Sequence, residues 1–256
     1  MNKHFFIICV TFLFSYLVPF SLFAKSNNEC LNLHVIKNSP LGFKDKSKKI
    51  RGVHADYLRA IAKDSGVCIE NQLFPYPRIW ESIKKGGHDG GIIFKSASRS
   101  TNIKYVALIR TVKTIVIPAK GKVVDSYNDL KTLKIGKTKG THLSKTFDND
   151  PELQLVEVTN YAQAIKMLKS GRIDAVAGSA LVLSYQFNKH DALDAVDLSN
   201  RFILGEKEQW LQLAEHATSQ EVSKALKDSV ERLKHQGVLD AIMDKYYGKQ
   251  WREVNN

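Results

Sequence analysis

The 256-residue sequence predicts an α/β protein of two similarly built lobes, each with a mainly parallel sheet. Three observations carry this reading. One pattern is written twice, as Ile79-Trp80-Glu81-Ser82-Ile83-Lys84-Lys85-Gly86-Gly87-His88-Asp89 and as Ala164-Ile165-Lys166-Met167-Leu168-Lys169-Ser170-Gly171-Arg172-Ile173-Asp174. Each copy reads as an amphipathic helix, a glycine stop, an aspartate and then a strand, and Gly86 and Gly171 stand 85 positions apart, too far for a solenoid repeat. Strand-like and helix-like segments alternate along the chain, which favours parallel pairing. Residues 105–117 form a β-branched, apolar run ending at Pro118, long enough to pass from one lobe to the other.

The elements follow in order. Leu31–Ile36 alternates and carries Val35 and Ile36, so it predicts a first strand. Residues 38–43 form a turn and 44–49 a charged loop. Val53, Tyr57, Leu58 and Ile61 keep helical spacing, with Gly66 as the stop. Residues 68–74 predict a second strand, Pro75-Tyr76-Pro77 breaks it, and Pro77 suits the first turn of the helix that ends at Gly86. Gly90–Phe94 is the strand after the first aspartate. Ser126 caps a short helix through Leu130. Leu133-Lys134-Ile135-Gly136-Lys137 then opens the second lobe as Leu33-His34-Val35-Ile36-Lys37 opened the first. Residues 153–158 predict a strand, and Thr159 or Asn160 caps the helix that stops at Gly171. Ala175–Ser179 matches Gly90–Phe94. Residues 202–205 and 210–214 read as two strands leading back. Ser219 caps a helix with Val222, Leu226, Val230 and Leu233 on one face, Gly237 ends it, and Val238–Tyr247 is a last helix.

The ends and the composition bound the compartment and the partners. Lys3 and His4 precede an apolar stretch, and Ala24 precedes polar Lys25-Ser26-Asn27-Asn28, so residues 1–24 predict a secretory signal peptide cleaved near Ala24. Its loss removes Lys3 and no acidic residue, which takes the net charge from +12 to +11. Cys9 leaves with it. Cys30 and Cys68 remain as an even pair in an oxidising compartment and predict a disulfide. The lysines are dispersed and not interleaved with aromatic residues, so nucleic acid is not an expected partner, whereas a basic surface suits an anionic ligand. The eight histidines are scattered, so no metal site and no cofactor is expected.

Several further motifs fall in one order along the chain. Gly52-Val53-His54-Ala55-Asp56 precedes a helix. The two Gly-x-x-Asp units follow, with Ser98-Arg99 after the first, Asp129-Leu130-Lys131 before the strand at 133–137, Gly140-Thr141 after that strand, and a terminal helix beyond Gly237. In this order the chain resembles the periplasmic solute-binding proteins of family 3, the receptors that serve amino-acid ABC transporters. The resemblance implies two Rossmann-like lobes joined by two crossing hinge strands, the type II periplasmic binding fold, closing as a clamp over a ligand. The crossings are expected near residues 109–116 and 204–211. The first lobe then comprises residues 25–111 and 209–256, and the second 112–208. The implied function is a non-catalytic receptor, acting as a monomer in the periplasm, that delivers a small molecule to an ABC-type permease in the membrane. Two alternatives remain: an exported enzyme of the same fold, dehydratase-like, for which Glu206 or Glu208 would supply the carboxylate, and a ligand-sensing partner of a membrane signalling protein.

Ligands of parallel sheets sit beyond the carboxyl ends of the strands. Arg99 resembles the family arginine that grips a ligand carboxylate, a task suited to the rigid two-pronged guanidinium. Gly140 and Thr141 resemble a glycine–threonine helix start whose free N–H groups welcome an anion. Ser96 and Ser98 are further donors, and Tyr76 and Phe43 candidates for an aromatic wall. Asp89 and Asp174 are expected to hold backbone at strand starts rather than to act as an acid–base pair. Where the family's amino-acid receptors carry an aspartate for the ligand ammonium, this chain has Ser179, which points to an anionic solute instead of a standard α-amino acid.

Overall fold

A computed structural model describes residues 30–96, 102–217 and 219–255. The signal peptide expected at 1–24 lies outside them. Among the described residues ten strands are present: β1 (Leu31–Ile36), β2 (Phe43–Lys44), β3 (Ile50–Arg51), β4 (Ile69–Phe74), β5 (Gly90–Phe94), β6 (Ile103–Pro118), β7 (Lys134–Thr138), β8 (Gln154–Val158), β9 (Ala175–Ser179) and β10 (Phe202–Ala214). The α-helices are α1 (Val53–Ser65), α2 (Ile79–Lys84), α3 (Lys145–Asn149), α4 (Tyr161–Lys169), α5 (Ala180–Lys189), α6 (Gln220–His235), α7 (Val238–Tyr247) and α8 (Trp251–Asn255).

Eight strands form one continuous sheet in the order β4-β1-β5-β10-β6-β9-β7-β8. The order is nearly symmetric about its middle. On one side β1 pairs in parallel with β4 and β5; on the other β7 pairs in parallel with β8 and β9. Between them β6 and β10 run antiparallel, from Phe202 opposite Val116 to Ala214 opposite Ile103. β10 takes β5 on its other edge at residues 209–213, and β6 takes β9 at residues 114–118. Each long strand therefore belongs to one lobe at one end and to its neighbour's lobe at the other, and these are the two crossing hinge strands.

Local sequence explains most boundaries. Ser126 and Asp129 form a reciprocal capping box, and the side chains of Asn160 and Ser219 accept from the N–H groups of Gln163 and Val222, satisfying donors that a helix start leaves open. Gly86 and Gly171 take φ of 71° and 68°, the left-handed conformation that stops each repeat helix. Strand β10 differs from expectation: residues 202–205 and 210–214 belong to one strand, because β6 offers backbone partners through the polar Glu206-Lys207-Glu208 stretch. Helices α3, α5 and α8 are additional to the sequence reading.

The first lobe packs Leu33, Val35, Tyr57, Leu58 and Ile61 against Leu226, Val230 and Met243. The second packs Ile135, Leu130, Phe147 and Ala175 on one face of the sheet, and Ile165, Leu168, Val176 and Phe187 on the other. Cys30 and Cys68 form the expected disulfide, beside the start of the β1–β4 pairing.

Candidate functional site

Both Gly-x-x-Asp aspartates do structural work. The Asp89 carboxylate accepts from the Asn32 N–H at 2.7 Å, and the Asp89 N–H donates to the Asn32 carbonyl at 2.9 Å. The Asp174 carboxylate accepts from the Lys134 N–H at 2.9 Å, and its N–H donates to the Lys134 carbonyl at 2.7 Å. The Lys134 N–H, followed by the Lys122 ammonium at 2.9 Å, holds the Asp174 carboxyl below the usual range. Each aspartate thus fastens the start of its strand to the start of the parallel neighbour, and both stand at the strand ends remote from the ligand loops.

At the opposite, carboxyl ends of the strands lies a cavity of about 350 Å³ between the lobes. The first lobe contributes Ile36, Lys37 and Asn38 from the end of β1, Tyr76 from the 3-10 turn at Tyr76–Arg78, and Phe94 from the end of β5. Arg110, Val112 and Thr114 come from β6, and Lys207 and Gln209 from β10. The second lobe adds Thr138, Thr141, Asn160, Tyr161 and Ser179. Lys139 and His142 complete a lining in which basic side chains come from five places and no aspartate or glutamate occurs among the described residues.

The hinge-strand residues are fixed from several sides. Thr114 donates its hydroxyl toward the carbonyls of Leu143 and Gly205, both at 3.2 Å, tying β6 to the loop after β7. Lys207 donates to the His142 carbonyl at 3.0 Å, and its ammonium stands 5.9 Å from the centre of the Phe94 ring. Arg110 sets its guanidinium 4.8 Å from the Tyr57 ring centre and directs Nη1 to the Met243 sulfur. Burial lowers its pKa to about 10, partly offset by Tyr247 and Asp240. Burial pushes the Tyr161 and Tyr247 hydroxyls up, so both remain neutral donors. The lobes also touch directly: the Ser39 and Tyr185 hydroxyls are 3.1 Å apart, and Gln186 Nε2 donates to the Ser39 carbonyl.

The sequence-derived candidates divide. Thr141, Ser179 and Tyr76 line the cavity. Ser179 is buried and stands at the N-terminus of α5 without a side-chain capping bond. Arg99 and Ser98 lie outside the described residues. Ser96 accepts at its carbonyl from the Tyr105 hydroxyl at 3.4 Å and is not in the lining.

Two expectations are corrected. Phe43 is no wall of this cavity: in β2 it meets Tyr246 edge-on at 6.3 Å and borders a separate groove with Ser39 and Leu73. Gly140-Thr141 is no helix start either. Gly140 takes φ of 74°, and the turn closes on itself, with the Thr141 N–H and hydroxyl both donating to the Thr138 carbonyl at 3.2 and 2.6 Å. The helix begins only at Lys145, where the Ser144 side chain accepts from the Phe147 N–H. Thr141 therefore faces the cavity as an acceptor, its proton already committed.

Arg110, Lys207, Gln209, Asn160 and Tyr161 were not foreseen. Arg110 had one signal, a lone arginine in the apolar run at residues 105–117, where a charge buried without purpose is costly.

No family model matches the chain. It is 25% identical over 224 residues to a probable histidine-binding protein of Neisseria gonorrhoeae, covering 83% of this chain and 80% of that one. It is 24% identical over 217 residues to a putative ABC transporter arginine-binding protein of Escherichia coli K12, covering 80% and 85%. Among solved structures, an ancestral arginine-binding protein bound to arginine superimposes with a TM-score of 0.67 at 24% identity, over 86% of this chain and 98% of that chain. The chain is similar to amino-acid solute-binding proteins of the periplasm, and its two lobes and crossing strands are the type II periplasmic binding fold.

Proposed function

We propose that this chain is a monomeric periplasmic receptor that closes over one small anionic solute and passes it to an ABC-type permease. The observation that carries the reading is the lining of the interlobe cavity: Lys37, Arg110, Lys139 and Lys207 contribute to it and, among the described residues, no carboxylate does. Relatives named for arginine and histidine support a receptor role. A basic amino acid in this lining would bring a second cation to a site without a carboxylate, and an unpaired charge in a closed cleft costs several kcal/mol. Ser179 stands where the family's receptors use an aspartate, and it offers a hydroxyl. Tyr76 supplies an apolar face, Thr141 an acceptor, and Gly140 the turn that presents it. Arg99 and Ser98, by their resemblance to the family's ligand loop, are proposed as solute contacts from the first lobe.

A thermal-shift screen of the mature chain tests this with succinate, glutarate and L-glutamate against L-arginine, L-histidine and L-glutamine. A ligand at about 100 times its Kd stabilises by about 2.7 kcal/mol, so the anions should raise Tm by several degrees and arginine should not. Submicromolar binding of arginine or histidine would reject the anionic assignment and leave the receptor role standing.

A further inference from the structure

Arg110 is the residue whose placement the fold does not otherwise explain. It sits in β6 opposite Gln209 of β10, at the level where the chain passes between the lobes. Its Nε is buried and has no hydrogen-bond partner, and no carboxylate lies within ion-pairing distance among the described residues. Nη1 meets only the Met243 sulfur, a weak acceptor. The group stands over the Tyr57 ring, and Tyr57 is itself fixed by its hydroxyl on the Leu239 carbonyl at 3.2 Å. His54, fully buried on α1, lies close enough for the guanidinium to help keep it neutral.

A largely buried guanidinium held over an aromatic ring, with its Nε unpartnered and its side chain lining a cavity, has the form of a preorganised anion receptor. Buried polar groups in native proteins are paired, and one that is not calls for a functional account. A carboxylate in the cavity would accept the unused donors as a charge-assisted pair.

We propose that Arg110 anchors the carboxylate of the solute, so that charge is read at the hinge strand and not only by the loop after β5. This rests on the anionic reading above. Because β6 is shared by both lobes, an anion held there lies between them. The expected class of solute is a small mono- or dicarboxylate, and cationic amino acids are excluded by this residue as well as by Ser179.

Two measurements on the mature protein test the assignment. The first needs no ligand: Arg110→Met removes an uncompensated charge while keeping the stem, so the variant should melt at or above the wild-type Tm. A Tm lower by several degrees would make Arg110 a structural residue and overturn the proposal. The second is calorimetry of wild type and Arg110→Met with succinate, glutarate and L-glutamate. For any of these that binds wild type, the variant should bind at least about tenfold more weakly. Affinity within about twofold of wild type would overturn the role of Arg110 while the anionic reading survives. Failure of all three to bind the wild type would overturn that reading, and the inference with it.

Discussion

The two lobes solve one problem identically and differ everywhere else. Asp89 and Asp174 fasten β1 and β7 to their parallel neighbours with the same pair of hydrogen bonds. Past that knot the lobes diverge. The first carries the disulfide and three buried histidines, His34, His54 and His88. The buried polar residues described in the second do not titrate: Thr114, Thr138, Ser179 and Gln186. Strand β5 begins Gly90-Gly91 where β9 begins Ala175-Val176. A β-carbon on Gly90 would meet the Gln212 carbonyl oxygen at 2.0 Å, because β10 runs tightly along that edge, whereas Ala175 is accommodated. A repeated motif thus secures strand starts, and each lobe's neighbours decide what surrounds it.

The largest expected asymmetry is at these strand starts. Gly90→Ala forces β10 away from β5 and should cost about 3–5 kcal/mol, while Ala175→Gly loses one methyl and backbone restraint, about 1 kcal/mol. Denaturant unfolding of both variants checks this, and equal losses would mean that β5 and β9 are constrained alike.

The buried histidines make the second contrast. Burial lowers the His34 pKa to about 3, helped by stacked His88 at 3.7 Å, and burial lowers that of His54 to about 3, helped by Arg110. All four of their ring nitrogens lack hydrogen-bond partners. Both folded pKa values lie below the unfolded value near 6.5, so the neutral rings contribute fully above that pH. Their contribution falls as pH drops from about 6.5 toward 3, by about 1–2 kcal/mol each at pH 5. Tm measured from pH 7.5 to 4.5 should decline, and His54→Leu should flatten the slope. An unchanged slope in that variant would place the acid sensitivity elsewhere.

The smallest effect distinguishes the twin aspartates. Asp89→Ala strands a partly buried Asn32 N–H and should cost about 1–2 kcal/mol; Asp174→Ala exposes Lys134 N–H to water and loses a half-exposed pair with Lys122, under about 1 kcal/mol. Measured values in the reverse order would show that the Lys122 pair is worth more than its exposure implies.

What could be read from the sequence was whatever a few consecutive residues decide. Caps at Ser126 and Ser219, glycine stops at Gly86 and Gly171 and the aspartates that follow those stops are local backbone chemistry, the Cys30–Cys68 pair follows from cysteine count and compartment, and the two-lobed order follows from the repeated helix–glycine–aspartate pattern. The Gly140-Thr141 turn escaped because glycine and threonine suit a helix start as well as a closed turn, and the choice fell to the Thr138 carbonyl and to Asp148, which takes the Leu143 N–H at 2.8 Å. Phe43 escaped because its partner, Tyr246, lies some two hundred residues on and could not be paired with it by pattern. Helix α5 was hidden in an apolar run that periodicity alone cannot distinguish from a buried strand. Only the tertiary structure made Arg110 a cavity residue. Its chemistry depends on Tyr57 of α1 and on Met243 and Tyr247 of α7, and burial is a sum over neighbours brought together by folding.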